Sequence, residues 1–199
     1  MRDILIFDYG GVIESHHTKS FCEWIKKKFS IQGEVWSIFK KYENLRDLGK
    51  IDKHELYSLL TKELDINLSE KEFYSEYFKN HVKTHFEVLE FIEKELFGRY
   101  ELYLFSNNSQ INVDMLRNKV DFEKLFNKCI YSFNLGVRKP DLEFFKKGLS
   151  LIGHKGEECI FFDDQVKSKE NAEKNGIKFI QYTSIDGLKK SLRNLKLIS

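Results

Sequence analysis

Three short apolar runs in this chain each end in polar residues, and this pattern constrains the fold more than any other feature. The runs are followed by Asp8, by Ser106 and two asparagines, and by Asp163 with Asp164. A continuous apolar run bounded by turn residues is typical of a buried strand in a parallel sheet. Because parallel strands have their carboxyl ends at one edge, we expect these polar side chains to converge on one crevice.

From about residue 86 onward, strand patterns alternate with helix patterns. After the opening run at 4–7, strands are predicted at 101–106, 129–131, 159–163 and 178–182. Alternation of this kind predicts a parallel sheet with right-handed crossovers. We therefore predict an α/β protein, with a Rossmann-like parallel sheet flanked by helices.

Residues 14–84 have only helical periodicity, without a strand signal. Their apolar residues form four stripes at helical spacing, and Ser69 with Glu72 three positions later is a capping box that marks a helix start. We therefore predict a four-helix domain over 14–84, inserted into a core domain formed by 1–13 and 85–199.

Composition excludes several function classes. The 33 basic and 31 acidic residues give a net charge of +2, which provides no general attraction to nucleic acid or membranes. No apolar run approaches the ~18 residues of a membrane span, and the N-terminal residues lack the pattern of a signal peptide. The three widely spaced cysteines indicate reduced core residues. We expect a cytoplasmic monomer or homodimer with no nucleic-acid or membrane partner.

The polar strand ends also suggest a chemistry. Carboxylates brought together repel unless a cation joins them, and hard oxygen ligands suit Mg²⁺. Ser106 and the amides after it are placed to bind a phosphate oxygen at a helix N-terminus. Pro140, the single proline, is expected to open a helix and so to direct Lys139, whose compact charge suits a phosphate.

These motifs, in this order, resemble those of the haloacid dehalogenase superfamily. The first motif is the segment 8–12, Asp-Tyr-Gly-Gly-Val, which is similar to an Asp-x-Gly-Gly-Val branch of the superfamily. Ser106-Asn107, Lys139 with its proline, and the aspartate pair at 163–164 match the second, third and fourth motifs. The helical block resembles the type-1 cap of these proteins.

The resemblance implies a Mg²⁺-dependent phosphatase that acts on a small phosphorylated metabolite, and the branch that it resembles includes phosphatases of sugar phosphates. By this resemblance Asp8 forms an aspartyl-phosphate, Ser106 binds a phosphoryl oxygen and Lys139 pairs with Asp8 and the phosphate. Asp8, the Gly10 carbonyl and Asp164 are implied Mg²⁺ ligands. Asp163 assists them directly or through water, and Asn107 contributes to phosphate binding.

Position 10 departs from the pattern of most phosphatases in the superfamily, which have a second aspartate there as general acid and base. Here the residue is Gly10, so another donor is required or the enzyme favours activated phosphates. Asp163, His16 and a metal-bound water are the candidates. For His16 and His17, a solvated pair at the entrance to the cap is the alternative to a role in proton transfer.

Two further alternatives follow from the residues. Arg46 in the cap is a candidate substrate contact, or else forms a salt bridge with Asp47 or Glu43. At the level of function, a metal-independent dehalogenase and a non-catalytic phosphate-binding protein are the rivals. The Asp163–Asp164 pair argues against the first, because crowded carboxylates bring no benefit to a metal-free site.

Overall fold

The computed structural model describes residues 4–199, so the first three residues of the predicted core segment 1–13 lie outside the described residues. The strands are β1 (Ile4–Phe7), β2 (Glu14–His16), β3 (Val82–Thr84), β4 (Glu101–Ser106), β5 (Lys128–Tyr131), β6 (Cys159–Asp163) and β7 (Lys178–Gln181). The α-helices are α1 (Thr18–Lys28), α2 (Val35–Asp47), α3 (Lys53–Glu63), α4 (Glu70–Asn80), α5 (Phe86–Phe91), α6 (Gln110–Arg117), α7 (Ser132–Leu135), α8 (Leu142–Ile152), α9 (Lys169–Lys174) and α10 (Ile185–Asn194).

A five-stranded parallel sheet forms the core, in the order β5-β4-β1-β6-β7. This confirms the predicted Rossmann-like α/β fold. The chain leaves β5 at one edge and returns at β6 on the other side of β1, so the strand order reverses around β1. Ligands of open α/β sheets bind beyond the carboxyl ends of the strands at such a point. The sheet therefore places the residues that follow β1, β4 and β6 in the expected crevice.

Both faces of the sheet are covered, which explains why its strands are apolar without alternation. Leu5 and Phe7 of β1 belong to one buried cluster, together with residues of α5, α6 and α10. Ile4 and Ile6 belong to a second, which includes Phe144 of α8 and other aromatic residues. Successive side chains of a strand point to opposite faces, so each strand contributes to both clusters.

The helices α1–α4 form a separate packed unit with its own buried cluster, centred on Phe21, Phe39 and Phe73. The ring centroids of Phe21 and Phe73 are 4.9 Å apart in an edge-to-face arrangement, a favourable geometry for aromatic pairs. The capping box predicted at Ser69 and Glu72 is present at the start of α4. The apolar stripes of residues 14–84 are thus core positions of this unit, which we call the cap.

The prediction that residues 14–84 lack strands was wrong. β2 and β3 pair as an antiparallel ribbon, with Glu14 opposite Thr84. Backbone hydrogen bonds extend it at both ends, from His17 N to His81 O (2.7 Å) and from His85 N to Ile13 O (2.8 Å). The two crossings between cap and core therefore run side by side. The predicted boundaries at 13/14 and 84/85 fall at the core end of this ribbon.

None of the helices within residues 4–199 combines the length and the apolar character needed to cross a bilayer.

Candidate active site

The register of the sheet places Asp8 beside Asp163. Phe7 pairs with Phe162 on the neighbouring strand, and Asp8 N donates a hydrogen bond to Phe162 O (2.8 Å). Each aspartate is therefore the next residue after a paired position, at the same edge of the sheet. Asp8, Asp163 and Asp164 form a cluster whose candidate ligand atoms lie within 4.8 Å of one another. The convergence expected from the sequence is present.

Lys139 reaches this cluster from the loop between α7 and α8. Its Nζ lies 2.9 Å from Asp8 Oδ1 and 2.7 Å from Asp163 Oδ2, and 4.9 Å from the ring centroid of Phe161. The Tyr9 amide also donates to Asp8 Oδ1 (2.6 Å). Because both contacts to Asp8 use Oδ1, Oδ2 of the carboxylate remains available for an incoming group.

Burial and mutual repulsion control the protonation of the three carboxyls. Burial raises the pKa of Asp8 to about 8, with Lys139 opposing this effect and Asp163 adding to it. Burial and the neighbouring Asp163 raise the pKa of Asp164 to about 6. Burial also acts to raise the pKa of Asp163, but Lys139 and the Gln165 amide outweigh it and hold that pKa below its usual value. One ammonium group therefore does not compensate three carboxylates, and a further cation is needed to ionise them all.

Asp164 approaches the loop after β1 so closely that this loop requires glycine. Gly11 has a φ of +76°, and a Cβ on it would overlap the Asp164 carboxyl group. Its neighbour Gly10 is different, since a Cβ there would meet no atom within 4 Å and its φ lies outside the left-handed region. The fold thus explains Gly11 by packing but not the absence of an acidic side chain at Gly10.

Ser106 ends β4 and is fully buried, and its Oγ has no hydrogen-bond partner within the described chain. Asn107 has a defined positioning role, because its Nδ2 donates to Lys139 O and its Oδ1 accepts from Lys139 N, both at 2.7 Å. The next helix, α6, begins only at Gln110. The residues after Ser106 therefore lead to the N-terminus of this helix, where Ser109 is the N-cap, and binding of a phosphate oxygen by Ser106 and these amides stays a prediction.

The expectation that Pro140 opens a helix was also wrong. Asp141 has extended backbone angles (φ −55°, ψ 134°) and is the N-cap of α8, which begins at Leu142. Pro140 lies in the turn before it, where Asp141 N donates to Arg138 O (2.9 Å). The anchor of Lys139 is instead the pair of backbone hydrogen bonds from Asn107.

A cavity of about 680 Å³ separates this cluster from the cap. Of the predicted site residues, Gly10, Asn107, Asp164 and Arg46 line it. Asp8, Ser106, Lys139 and Asp163 are buried at the sheet edge and are absent from its lining. The aromatic and cationic residues that the cap and the loops add to its wall are Trp36, Tyr77, Lys19, Lys40, Arg138 and Lys167.

Arg46 is buried, not at the surface, with a residual exposure of 6%. Its guanidinium lies 3.1 Å from Asp47 Oδ1 and 3.8 Å from Glu43 Oε1. Although burial acts in the opposite direction, these two carboxylates raise the pKa of Arg46. Its Nε has no hydrogen-bond partner in the described part of the chain. The salt bridges expected as the alternative are therefore present, while the residue also lines the cavity.

The two histidines have different environments. His17 is exposed, whereas His16 is half-buried between Tyr9 and Tyr77. The His16 Nδ1 lies 3.2 Å from Tyr77 Oη. Burial, together with the charge of Arg46, lowers the pKa of His16 to about 3, so the imidazole is neutral at physiological pH. The interpretation of His16 as part of a solvated pair was wrong, because β2 carries it into the cavity wall.

Sequence reasoning missed two buried polar features near this cavity, one at Glu14 and one at Asn108 and Asn112. Glu14 accepts hydrogen bonds from Tyr9 Oη (2.6 Å) and Thr84 Oγ1 (2.8 Å) at the base of the ribbon. Asn108 and Asn112 form an amide pair at the start of α6, and both line the cavity. Their spacing of four residues across a helix start is a sequence signal for such a contact.

Comparisons with known proteins agree with this geometry. The model of the family described as haloacid dehalogenase-like hydrolase matches residues 27–182. Among curated proteins, a drimenol cyclase of Aspergillus calidoustus is 24% identical over 196 residues, covering 96% of this chain and 36% of that protein. The chain thus spans little more than a third of the cyclase. An uncharacterised Dictyostelium discoideum protein is 26% identical over 212 residues, covering 89% of this chain and 90% of that protein.

Solved structures include similar folds. A haloacid dehalogenase-family enzyme of Bacteroides thetaiotaomicron, in complex with magnesium and inorganic phosphate, has a TM-score of 0.73 at 21% identity and covers 93% of this chain and 96% of its own. The L-2-haloacid dehalogenase of Xanthobacter autotrophicus, with chloropropionic acid covalently bound, has a TM-score of 0.63 at 16% identity, with coverages of 98% and 83%. At these identities the likeness shows the fold alone.

Proposed function

Because this chain belongs to the haloacid dehalogenase-like hydrolase family, we propose that it is a Mg²⁺-dependent phosphatase that acts on a small phosphorylated metabolite. The observation that carries the proposal is the cluster of Asp8, Asp163 and Asp164 around Lys139 at the edge of the cavity. Phosphoryl transfer depends mainly on positioning and on stabilisation of negative charge. An excess of carboxylates fits a metal-assisted site better than a metal-free one.

Asp8 is the nucleophile in this proposal. An oxygen of its carboxylate attacks phosphorus, and the new O–P bond forms while the ester O–P bond breaks. The departing oxygen takes up a proton. Water then attacks the phosphorus of the aspartyl-phosphate, which releases inorganic phosphate and regenerates the carboxylate. The Lys139 ammonium, 2.9 Å from Asp8 Oδ1, favours the ionised carboxylate that the attack requires.

The residues present fit Mg²⁺. The donor set is all oxygen, and Asp164 Oδ1 is buried with no hydrogen-bond partner in residues 4–199. Asp8, the Gly10 carbonyl and Asp164 are the proposed ligands. Each oxygen of Asp163 accepts one hydrogen bond, from Lys139 Nζ or from the Gln165 amide, at 2.7 Å each, and keeps a second lone pair, so Asp163 assists directly or through water. When bound, Mg²⁺ supplies the positive charge that the cluster lacks.

The remaining predicted contacts have supporting geometry. The unpartnered Ser106 Oγ is a donor for a phosphoryl oxygen, and Asn107 holds Lys139 in place. Arg46 lines the cap side of the cavity and is the proposed substrate contact there. The substrate is a small molecule, since the cavity of about 680 Å³ lies between core and cap.

Two side chains considered as replacements for an acid at Gly10 lack an acidic proton to donate at neutral pH. The Asp163 pKa is held below its usual value, and the His16 pKa is about 3. Water in the cavity is therefore the proposed proton donor for the leaving oxygen. Esters with good leaving groups gain least from general acid catalysis, so we expect the rate to depend on leaving-group pKa.

Replacement of Asp8 by asparagine tests the proposal. Released phosphate is measured over a set of phosphorylated metabolites and p-nitrophenyl phosphate, with and without exhaustive chelation. Wild type is expected to release phosphate only with Mg²⁺. Asp8→Asn should lose at least about 10³-fold in rate, because removal of a nucleophile leaves only binding and charge stabilisation. Unchanged thermal unfolding of the variant is the control for folding.

The rival functions give different results in the same assay. A dehalogenase releases halide from 2-haloacids, and its activity survives chelation. A non-catalytic protein binds phosphate without releasing it from any ester. Phosphate release by Asp8→Asn within ten-fold of wild type would contradict the proposed covalent step.

A further inference from the structure

The Lys139-Pro140 segment has few backbone groups that can anchor it. Because proline has no N–H, the two residues present one backbone donor, Lys139 N, and two acceptors, the carbonyl oxygens. The Asn107 side chain binds both groups of Lys139, since it accepts from the N–H and donates to the carbonyl. The Pro140 carbonyl accepts a hydrogen bond from the side chain of Asn171 (2.8 Å). Asparagine side chains therefore bind all three backbone groups of this segment.

The two asparagines approach the segment from different parts of the fold. Asn107 follows the end of β4, whereas Asn171 belongs to α9, the helix after the Asp163–Asp164 pair. Because a carbonyl oxygen can only accept, the Asn171 atom that contacts Pro140 O is the donor, Nδ2. The backbone around Lys139 is thus hydrogen-bonded to β4 on one side and to α9 on the other.

Asn171 is itself held in place. Ala172, the next residue, is fully buried in the second sheet cluster, to which Phe144 and Phe145 of α8 also belong. The Asn171 carbonyl accepts a hydrogen bond from Asn175 Nδ2 (2.7 Å). The hydrogen bond to Pro140 O therefore connects the Lys139 loop to a helix that is packed against the sheet.

The position of this backbone matters because the lysine side chain does not fix its own ammonium group. Lysine carries a point charge on a flexible four-carbon stem. Its Nζ nevertheless lies within hydrogen-bonding distance of both Asp8 Oδ1 (2.9 Å) and Asp163 Oδ2 (2.7 Å). Displacement of a catalytic group by about 1 Å can cost on the order of 10²-fold in rate. Contacts that hold the Lys139 backbone are therefore contacts that hold its ammonium group.

We propose that Asn171 is a positioning residue, which holds the Lys139 ammonium group against Asp8 and Asp163 through its hydrogen bond to the Pro140 carbonyl. Asn171 is absent from the lining of the cavity, so it acts only through Lys139. The expected effect on the reaction rests on the proposed phosphatase function, whereas the effect on the Lys139 loop does not. The role also accounts for an asparagine, a poor helix former, within a helix of six residues.

The experiment compares wild type with two variants of this position. Asn171→Asp is nearly isosteric, but its ionised carboxylate cannot donate a hydrogen bond and repels the Pro140 carbonyl. Asn171→Ala removes the donor without this repulsion, and it keeps the test valid if Asn171→Asp does not fold. The control is Asn175→Ala, because that side chain bonds to the Asn171 carbonyl and not to the Lys139 loop.

The first measurement is hydrogen exchange of the Lys139 backbone amide, followed by NMR without substrate. This N–H is bound to Asn107 Oδ1, so its exchange rate reports local opening of the loop. We expect the rate to rise by about ten-fold or more in both Asn171 variants, the value of one hydrogen bond. Asn175→Ala should leave it unchanged. The amides of β1 serve as the reference for global unfolding.

The second measurement separates positioning from a general structural role. The kcat/KM for p-nitrophenyl phosphate is determined for Asn171→Asp, for Lys139→Ala and for the double variant. Asn171→Asp should lower it by about 10–10²-fold in wild type. In Lys139→Ala the same change should cost less than about two-fold, because the group that it positions is absent. A residue that only stabilises the fold would lower the rate by the same factor in both backgrounds.

Two results would overturn the inference. Unchanged exchange of the Lys139 amide in both Asn171 variants, or an equal loss of kcat/KM in the two backgrounds, would contradict the positioning role while the phosphatase function stands. If wild type releases no phosphate from any ester, the proposed function fails, and hydrogen exchange still decides whether Asn171 holds the Lys139 loop.

Discussion

Two buried charge clusters face the same cavity, and their balance of charge is opposite. At the sheet edge, Asp8, Asp163 and Asp164 surround a single cation, Lys139. On the cap side, the carboxylates of Glu43 and Asp47 contact three cations, Arg46 and Lys40 of the cap and Arg138 of a core loop. Both clusters contain buried groups, so neither surplus is fully screened by water.

Because of this difference, the core cluster requires a further cation, whereas the cluster on the cap side does not. Removal of a partner from a buried pair is costly when no other partner remains. The core cluster has one cation for three anions and depends on it entirely. In the cap, Glu43 also contacts Lys40 (2.6 Å) and Asp47 also contacts Arg138 (3.6 Å). The core cluster is therefore suited to bind a metal ion, and the cap cluster to remain stable without one.

Removal of the core cation should have the largest effect. Lys139→Ala leaves Asp8 and Asp163 without their ammonium, and we expect a rate loss of about 10²–10³-fold and a stability loss of about 3–5 kcal/mol without Mg²⁺. Steady-state rates and urea unfolding in the presence of a chelator provide the measurements. Lys139→Arg is the matched variant, and it should rescue stability more than rate because its planar group reaches differently.

Loss of less than about 1 kcal/mol of stability in Lys139→Ala would show that the carboxylates are compensated in another way. Equal activity of Lys139→Ala and wild type would show that the Lys139 ammonium group takes no part in the reaction.

Removal of the cap cation should have a smaller effect. In Arg46→Met both carboxylate partners keep a second cation, so we expect a stability loss of about 1.5–3 kcal/mol, the range for a hydrogen bond to a charged group. Chemical denaturation measures it, with Lys41→Met, at an exposed pair with Glu63, as the control. A loss as large as that of Lys139→Ala would mean that the two clusters do not differ as described.

The smallest expected effect is the pH dependence of stability that His16 contributes. Its folded-state pKa of about 3 lies below the ordinary value of 6.5, so the unfolded chain binds a proton that the folded chain does not. The stability contributed by the neutral imidazole is therefore present above pH 6.5 and is lost as the pH falls toward 3. The loss is about 1.4 kcal/mol per pH unit at most.

Urea unfolding at pH 7 and pH 5 tests this, by comparison of wild type with His16→Gln, which keeps an acceptor for Tyr77 Oη. The variant should lose less stability between the two pH values. Identical losses would mean that His16 is protonated in the folded protein, and His17→Gln at the exposed neighbouring position is the control.

The sequence predicted those parts of the site that lie directly after an apolar strand. Asp8 and Asp163 each follow an apolar strand, and their proximity follows from the parallel sheet alone. The sequence did not predict the ribbon, because its strands have three residues each and Glu14, Ser15 and His16 have no apolar alternation. Tertiary pairing, not local preference, makes these residues extended.

The burial of Arg46 also could not be predicted from the sequence. Its partners Glu43 and Asp47 are local, but Arg138 contacts Asp47 from a loop of the core far along the chain. The Asn108–Asn112 pair had a helical spacing, yet only the structure shows which of its atoms remain free. Long-range contacts thus determine the surroundings of Arg46, whereas the positions of Asp8 and Asp163 follow from the ends of two neighbouring strands.

The two adjacent glycines after Asp8 differ in how far they can vary. Gly11 is fixed by the carboxyl group packed against it, whereas the space beside Gly10 would accept a side chain without repacking. An acidic residue at position 10 is therefore one substitution away on a backbone that already accommodates it. In the proposed mechanism, evolution or a directed-evolution experiment would therefore vary proton transfer at position 10 while the contacts among Asp8, Lys139 and Asp163 stay in place.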